Sequence, residues 1–304
     1  MAKIFVGSRQ LTLKDELMNI SFPIFVHYPT HYESKPTAFG PYVIDVSVNA
    51  DIAEGKFPLV IISHGTGGSP LLYRTLSLFL AKNGYVVAMI EHYGNNRLNN
   101  ELEGKNENFV NRLRHLTQTI DYLFSDKEFA KCLQKDNVAV IGHSIGANTA
   151  LVLAGGEPIS YSDYIRQFGQ TLHMGEETNE MSFILDERIK AAVLFALTPG
   201  WFTGDNSLKN IKIPVRIYNA EKDDYIPYNQ VESFLEVAKT NPLIDFKLVK
   251  DAGHFSFLSP FPATIKDKVG LAARDPEGFD RENFHNRLQT EIHTFLNNKV
   301  NASR

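Results

Sequence analysis

Apolar positions along the chain alternate between two periods. Residues Phe57–Ser63 (FPLVIIS) form a short, β-rich and almost wholly apolar run, the pattern of a parallel strand covered on both faces. Residues 71–83 then space Leu72, Leu76, Phe79 and Leu80 by three or four before Gly84, which predicts a helix stopped by glycine. The alternation continues with a strand over 85–90 and a helix over 109–124, carried by Val110, Leu113, Leu116, Ile120 and Leu123. A strand over 138–141 runs into a glycine turn and a helix over 144–154. Strands at 189–197, 215–218 and 246–249 follow, with helices at 230–240 and 284–296. Such βα alternation predicts an α/β fold, a mostly parallel sheet with helices on both faces.

Two parts break the pattern. In the first 50 residues, the strand-like segments 22–28 and 42–48 have no helix between them, which predicts an antiparallel edge to the sheet. Residues 155–187 are a polar, aromatic insertion between a helix and a strand, and a lid or binding loop is expected there. No repeat, low-complexity tract or linker divides the 304 residues, so a single domain is expected.

Composition narrows the function classes. With 43% hydrophobic and 22% charged residues the chain is that of a globular protein. Thirty-one basic against 35 acidic residues leave a net charge of −4, so no basic field gathers nucleic acid. Apolar runs are strand-sized and the N-terminus has no signal-length apolar stretch, so a cytoplasmic protein without a membrane span is expected. Cys132 is the only cysteine, which excludes an internal disulfide and a cysteine-cluster metal site.

The chemistry concentrates at Gly142-His143-Ser144-Ile145-Gly146, between a buried strand and a helix of small residues. A serine on such a tight strand-to-helix turn needs glycines two residues away on either side, because strand and helix converge there. Ser144 Oγ then projects from the carboxyl edge of the sheet, and the Ile145 N–H at the helix start can bind an oxyanion. A glycine-rich turn capped by a serine is the plainer alternative. A nucleophilic serine needs a base oriented by a carboxylate. His254, in DAGHF after the last predicted strand, is placed to be the base, and the polar turn 219–227 supplies the acid. His64 and His143 are rivals near strand ends, as is His92, while the remaining histidines read as surface or packing residues. His64-Gly65-Thr66-Gly67-Gly68 offers a second oxyanion donor from Gly65 or Thr66. No nucleotide-binding glycine motif, HExxH or paired histidine spacing occurs, so neither a nucleotide, a metal nor another cofactor is expected.

The segments SHGTGGS, GYVVA, EHYGNN, GHSIGA, DERIKAAV, AGHFSFL and DPEGFDRENFH, in that order along nearly the whole chain, resemble the α/β-hydrolase superfamily. Within it they are similar to bacterial predicted dienelactone hydrolases related to platelet-activating-factor acetylhydrolases. The resemblance implies an α/β-hydrolase fold, Ser144 as nucleophile, His254 as base and an acid before Pro227. A G-x-x-D pattern at that turn aligns Asp223, with Ala220 where glycine is common, and leaves Asp224 as the alternative. True dienelactone hydrolases use a cysteine nucleophile where this chain has Ser144, so dienelactone is not expected as substrate.

The expected function is a serine hydrolase of small carboxylic esters working through an acyl-enzyme. The same machinery acting on amides, or a non-catalytic binding protein on this scaffold, are the alternatives. The substrate pocket is expected from residues 94–98, Trp201 and Phe202 in TPGWF, Phe255, His143 and the 155–187 insertion.

Overall fold

The computed structural model describes residues 3–169 and 185–300. The N-terminal part contains β1 (Phe5–Asp15), β2 (Ile20–Thr30), β3 (Lys35–Phe39) and β4 (Tyr42–Val48). The alternating part follows as β5 (Phe57–Ser63), α1 (Arg74–Lys82), β6 (Val86–Ile90), α2 (Asn106–Ser125), α3 (Phe129–Cys132), β7 (Leu133–His143) and α4 (Ile145–Leu153). After it come α5 (Tyr161–Phe168), β8 (Ile189–Phe195), β9 (Val215–Ala220), α6 (Tyr228–Ala238), β10 (Ile244–Val249) and α7 (Arg281–Val300).

Among the described residues the strands form one ten-stranded sheet in the order β10-β9-β8-β7-β5-β6-β2-β1-β4-β3. Every pairing from β6 to β10 is parallel, and β2 joins β6 antiparallel. The N-terminal edge is antiparallel as expected, except that β4 meets β1 in parallel at Gly7↔Ser47 and Ser8↔Val48. β1 and β3 lie outside the predicted strands because their sequences, FVGSRQLTLKD and KPTAF, are largely polar.

Period-two alternation in the central strands feeds two cores. Ile61 and Val140 pack on one face with Leu116 and Ile120 of α2 and Leu151 of α4. Val60, Ile62 and Ile141 pack on the other with Leu80 of α1 and Ile292 of α7. Each such side chain, removed from water, contributes about 1.5–3 kcal/mol, which holds the strands in the register that matters for the site. The pairing Ser63↔Gly142 sets the loop after β5 beside the turn after β7. In the insertion, residues 161–168 form α5, and residues 170–184, with His173, lie outside the described residues.

Candidate active site

Ser144 sits between β7 and α4 with φ 55° and ψ −124°, a backbone region that side-chain-bearing residues rarely adopt. Its N–H donates to the Phe195 carbonyl at 2.9 Å, which holds the turn against β8. A Cβ at Gly142 would lie 2.1 Å from the Gly146 carbonyl oxygen, and one at Gly146 would lie 2.2 Å from the Ser63 carbonyl oxygen. Both glycines are therefore required by close backbone approach, as the sequence spacing implied.

Asp223 and His254 come from neighbouring loops after β9 and β10. Those loops are tied together: the Lys222 N–H donates to the Ala252 carbonyl at 2.8 Å, and Lys222 Nζ pairs with Asp251 at 2.6 Å. His254 Nδ1 lies 2.9 Å from Asp223 Oδ2 and 3.1 Å from Oδ1. Oδ1 also accepts from the N–H groups of Tyr225 and Ile226 at 2.9 and 3.1 Å. Asp224 is exposed and does not take part. Behind His254, the Gly253 N–H donates to Ser256 Oγ at 3.0 Å, and Ser256 Oγ donates to Asp275 at 2.8 Å. Arg281 in turn grips Asp275, with Nη2 to Oδ1 at 2.9 Å. The DPEGFDRENFH segment thus braces the histidine loop.

The rival histidines are buried and occupied. His64 Nδ1 donates to the Gly65 carbonyl at 2.7 Å, its Nε2 accepts from the His92 N–H at 3.2 Å, and burial pushes its pKa down to about 3. His92 Nε2 lies 2.9 Å from Ser63 Oγ, and burial holds the ring well below its ordinary pKa. His143 lines the same cavity as Ser144, but its Nε2 donates to the His254 carbonyl at 3.0 Å. Burial also pushes its pKa down to about 3, so it is a neutral prop for the histidine loop.

Ser144 and His254 open on a cavity of about 410 Å³. Gly65, Thr66, Ile145, His143, Phe255 and Trp201 line it. Phe202 does not. The turn Pro199–Phe202 is a 3₁₀ helix, and while Trp201 meets the cavity, Phe202 points into the core at 0% exposure beside Leu151 and Leu197. Trp201 is itself 3% exposed and stacks on Tyr164 of α5, with centroids 4.5 Å apart. The described part of the insertion therefore backs the wall instead of forming it. Residues 94–98 do not line the cavity themselves, although the Arg97 N–H donates to the carbonyl of the lining residue Gly68 at 2.9 Å, and Glu103, Gly104, Lys105 and Asn108 take that side. Tyr225, whose ring lies 4.8 Å from that of His254, is a lining residue that the sequence reading missed. So are Tyr73, Asn108 and Asn148. Among the described residues, no group of three or more His, Cys, Asp or Glu side chains is arranged to hold a metal ion, and no helix is long and apolar enough to cross a membrane.

A family model for platelet-activating factor acetylhydrolase, isoform II, matches residues 33–108. Platelet-activating factor acetylhydrolase of Bos taurus is 26% identical, over 37% of this chain and 35% of its own length. The Canis lupus familiaris protein of the same name is 24% identical over the same shares. The matched part is thus about a third of those relatives. Among solved structures, a ferulic acid esterase from Streptomyces cinnamoneus superposes with a TM-score of 0.69 at 16% identity, covering 99% of this chain and 91% of that one. Thermogutta terrifontis esterase 2, phosphorylated by paraoxon, gives a TM-score of 0.55 at 13% identity, with 96% and 94% covered. From its sheet topology and these superpositions, the chain has the α/β-hydrolase fold.

Proposed function

We propose that this chain is a serine hydrolase of short-chain carboxylic esters. Ser144 Oγ attacks the ester carbonyl carbon while His254 Nε2 takes the hydroxyl proton, and Asp223 holds Nδ1–H and the imidazolium that forms. The tetrahedral oxyanion receives hydrogen bonds from Ile145 N–H and from the Gly65 to Thr66 loop. The alkoxide leaves with the proton from His254, giving an acyl-Ser144 enzyme that water hydrolyses by the same steps in reverse roles. The observation that carries this reading is the bidentate contact of Asp223 with His254 Nδ1 at 2.9 and 3.1 Å, in a loop that faces the positive-φ serine across one cavity. The acetyl group in the name of the relatives, and the cavity wall at Trp201, support a short acyl chain.

Steady-state kinetics on matched p-nitrophenyl acetate and p-nitroacetanilide test the proposal. Turnover of the ester that is lost in Ser144→Ala and His254→Ala supports it. Comparable rates on the anilide would replace the ester specificity by an amidase reading, and undiminished ester turnover in either variant would overturn the mechanism.

A further inference from the structure

α2 carries a buried guanidinium. Arg112 is 0% exposed, and among the described residues it has no carboxylate partner. Its Nη1 donates to the His64 carbonyl at 2.7 Å, and Nη2 lies 3.5 Å from the Gly65 carbonyl. Nε and Nη2 both reach Asn95 Oδ1, at 2.9 and 2.6 Å. The Gly65 carbonyl also accepts from the Gly68 N–H at 3.0 Å and from His64 Nδ1. Burying a charge without an opposite charge is costly, so its retention at this place calls for a reason.

Peptide planarity supplies one. In a trans peptide the C=O and the following N–H point in opposite directions. Holding the carbonyls of residues 64 and 65 towards Arg112 turns the N–H groups of Gly65 and Thr66 the other way, and both residues line the cavity beside Ser144. Gly65 is pressed so close that a Cβ there would lie 3.2 Å from that of Ser144. The rings near the guanidinium, those of His64, His92 and His115, are held neutral by burial, so they add no further positive charge beside it.

We infer that Arg112 is a positioning residue for the oxyanion hole: its fork fixes the carbonyls of the loop at residues 64 and 65, and its unpaired charge favours the anionic tetrahedral adduct on Ser144. This inference rests on the serine-hydrolase reading. The adduct forms by attack of Ser144 Oγ on a carbonyl carbon with transfer of its proton to His254, which leaves one negative charge on the former carbonyl oxygen.

The test compares wild type, Arg112→Gln and Arg112→Lys with a trifluoromethyl ketone, which binds a serine as an anionic hemiketal, and with the matching methyl ketone, which stays neutral. In Arg112→Gln, kcat for p-nitrophenyl acetate is expected to fall about 100-fold, the size typical of a lost oxyanion donor, with KM nearly unchanged. Trifluoromethyl ketone affinity should fall by a similar factor while methyl ketone affinity holds. Arg112→Lys, which keeps the charge without the fork, should lie between. Equal losses for the two ketones, or an unchanged kcat in a folded variant, would overturn the inference. Failure of both variants to fold would make Arg112 a stability residue and overturn it too. Should the wild type neither turn over the ester nor bind the trifluoromethyl ketone, the serine-hydrolase reading itself falls, an outcome distinct from an active wild type with indifferent variants.

Discussion

Asp223 engages His254 Nδ1 through both carboxylate oxygens, at 2.9 and 3.1 Å, while one of those oxygens also caps the N–H groups of Tyr225 and Ile226. The cap fixes the carboxylate's direction before any substrate arrives. Asp223→Asn offers an amide that can hold the wrong imidazole tautomer, so kcat is expected to fall by about 10³–10⁴-fold. Asp224→Asn, at an exposed side chain, should leave kcat within about twofold. Ester kinetics on the two variants check this, and a dead Asp224→Asn would move the acid by one residue.

Trp201 combines two roles, since it lines the cavity and stacks on Tyr164. Trp201→Ala should cost about 3–5 kcal/mol of stability, as large-to-small changes in a packed site do. It should also raise kcat/KM for p-nitrophenyl butyrate and hexanoate relative to acetate, because each methylene accommodated is worth about 1–3 kcal/mol. A folded Trp201→Ala protein with an unchanged chain-length profile would make the tryptophan a core residue only.

Acid should unfold this protein early. Burial pushes His27, His64, His115 and His143 down to about 3, against an ordinary value near 6.5 in the unfolded chain. The folded pKa is the lower one, so the unfolded state binds more protons as pH falls. Stability is therefore intact above about pH 6.5 and is lost progressively between there and about pH 3. At pH 5.5 each of these histidines removes about 1.4 kcal/mol. Urea unfolding free energies at pH 7.5, 6.5 and 5.5 should fall steeply over the last interval, and a flat profile would contradict the neutral burial of these rings.

Much of this site was legible because its geometry demands residue types at fixed spacing. Gly142 and Gly146 flank Ser144 because backbone oxygens stand where their Cβ atoms would be. The choice between Asp223 and Asp224 was not legible, since adjacent carboxylates differ only in how the turn directs them. Phe202 misled for the same reason: a 3₁₀ turn sends neighbouring aromatic residues different ways, and a sequence carries no such direction. Arg112 was hidden in α2, whose apolar stripe implied burial of Val110 and Leu113. Both are only half-buried, and the helix instead turns Asn108, Arg112, His115 and Thr119 inward, where tertiary partners satisfy Arg112. The polar strands β1 and β3 escaped because strand pairing, not apolar content, holds them.

The central claim is that Ser144 is the nucleophile, and covalent capture tests it most directly. The protein is treated with a fluorophosphonate, its intact mass is measured, and the modified peptide is mapped. One adduct per chain on Ser144 is expected, absent in Ser144→Ala and slowed by orders of magnitude in His254→Ala. An adduct on another residue, or none on a folded wild-type protein that hydrolyses p-nitrophenyl acetate, would contradict the account.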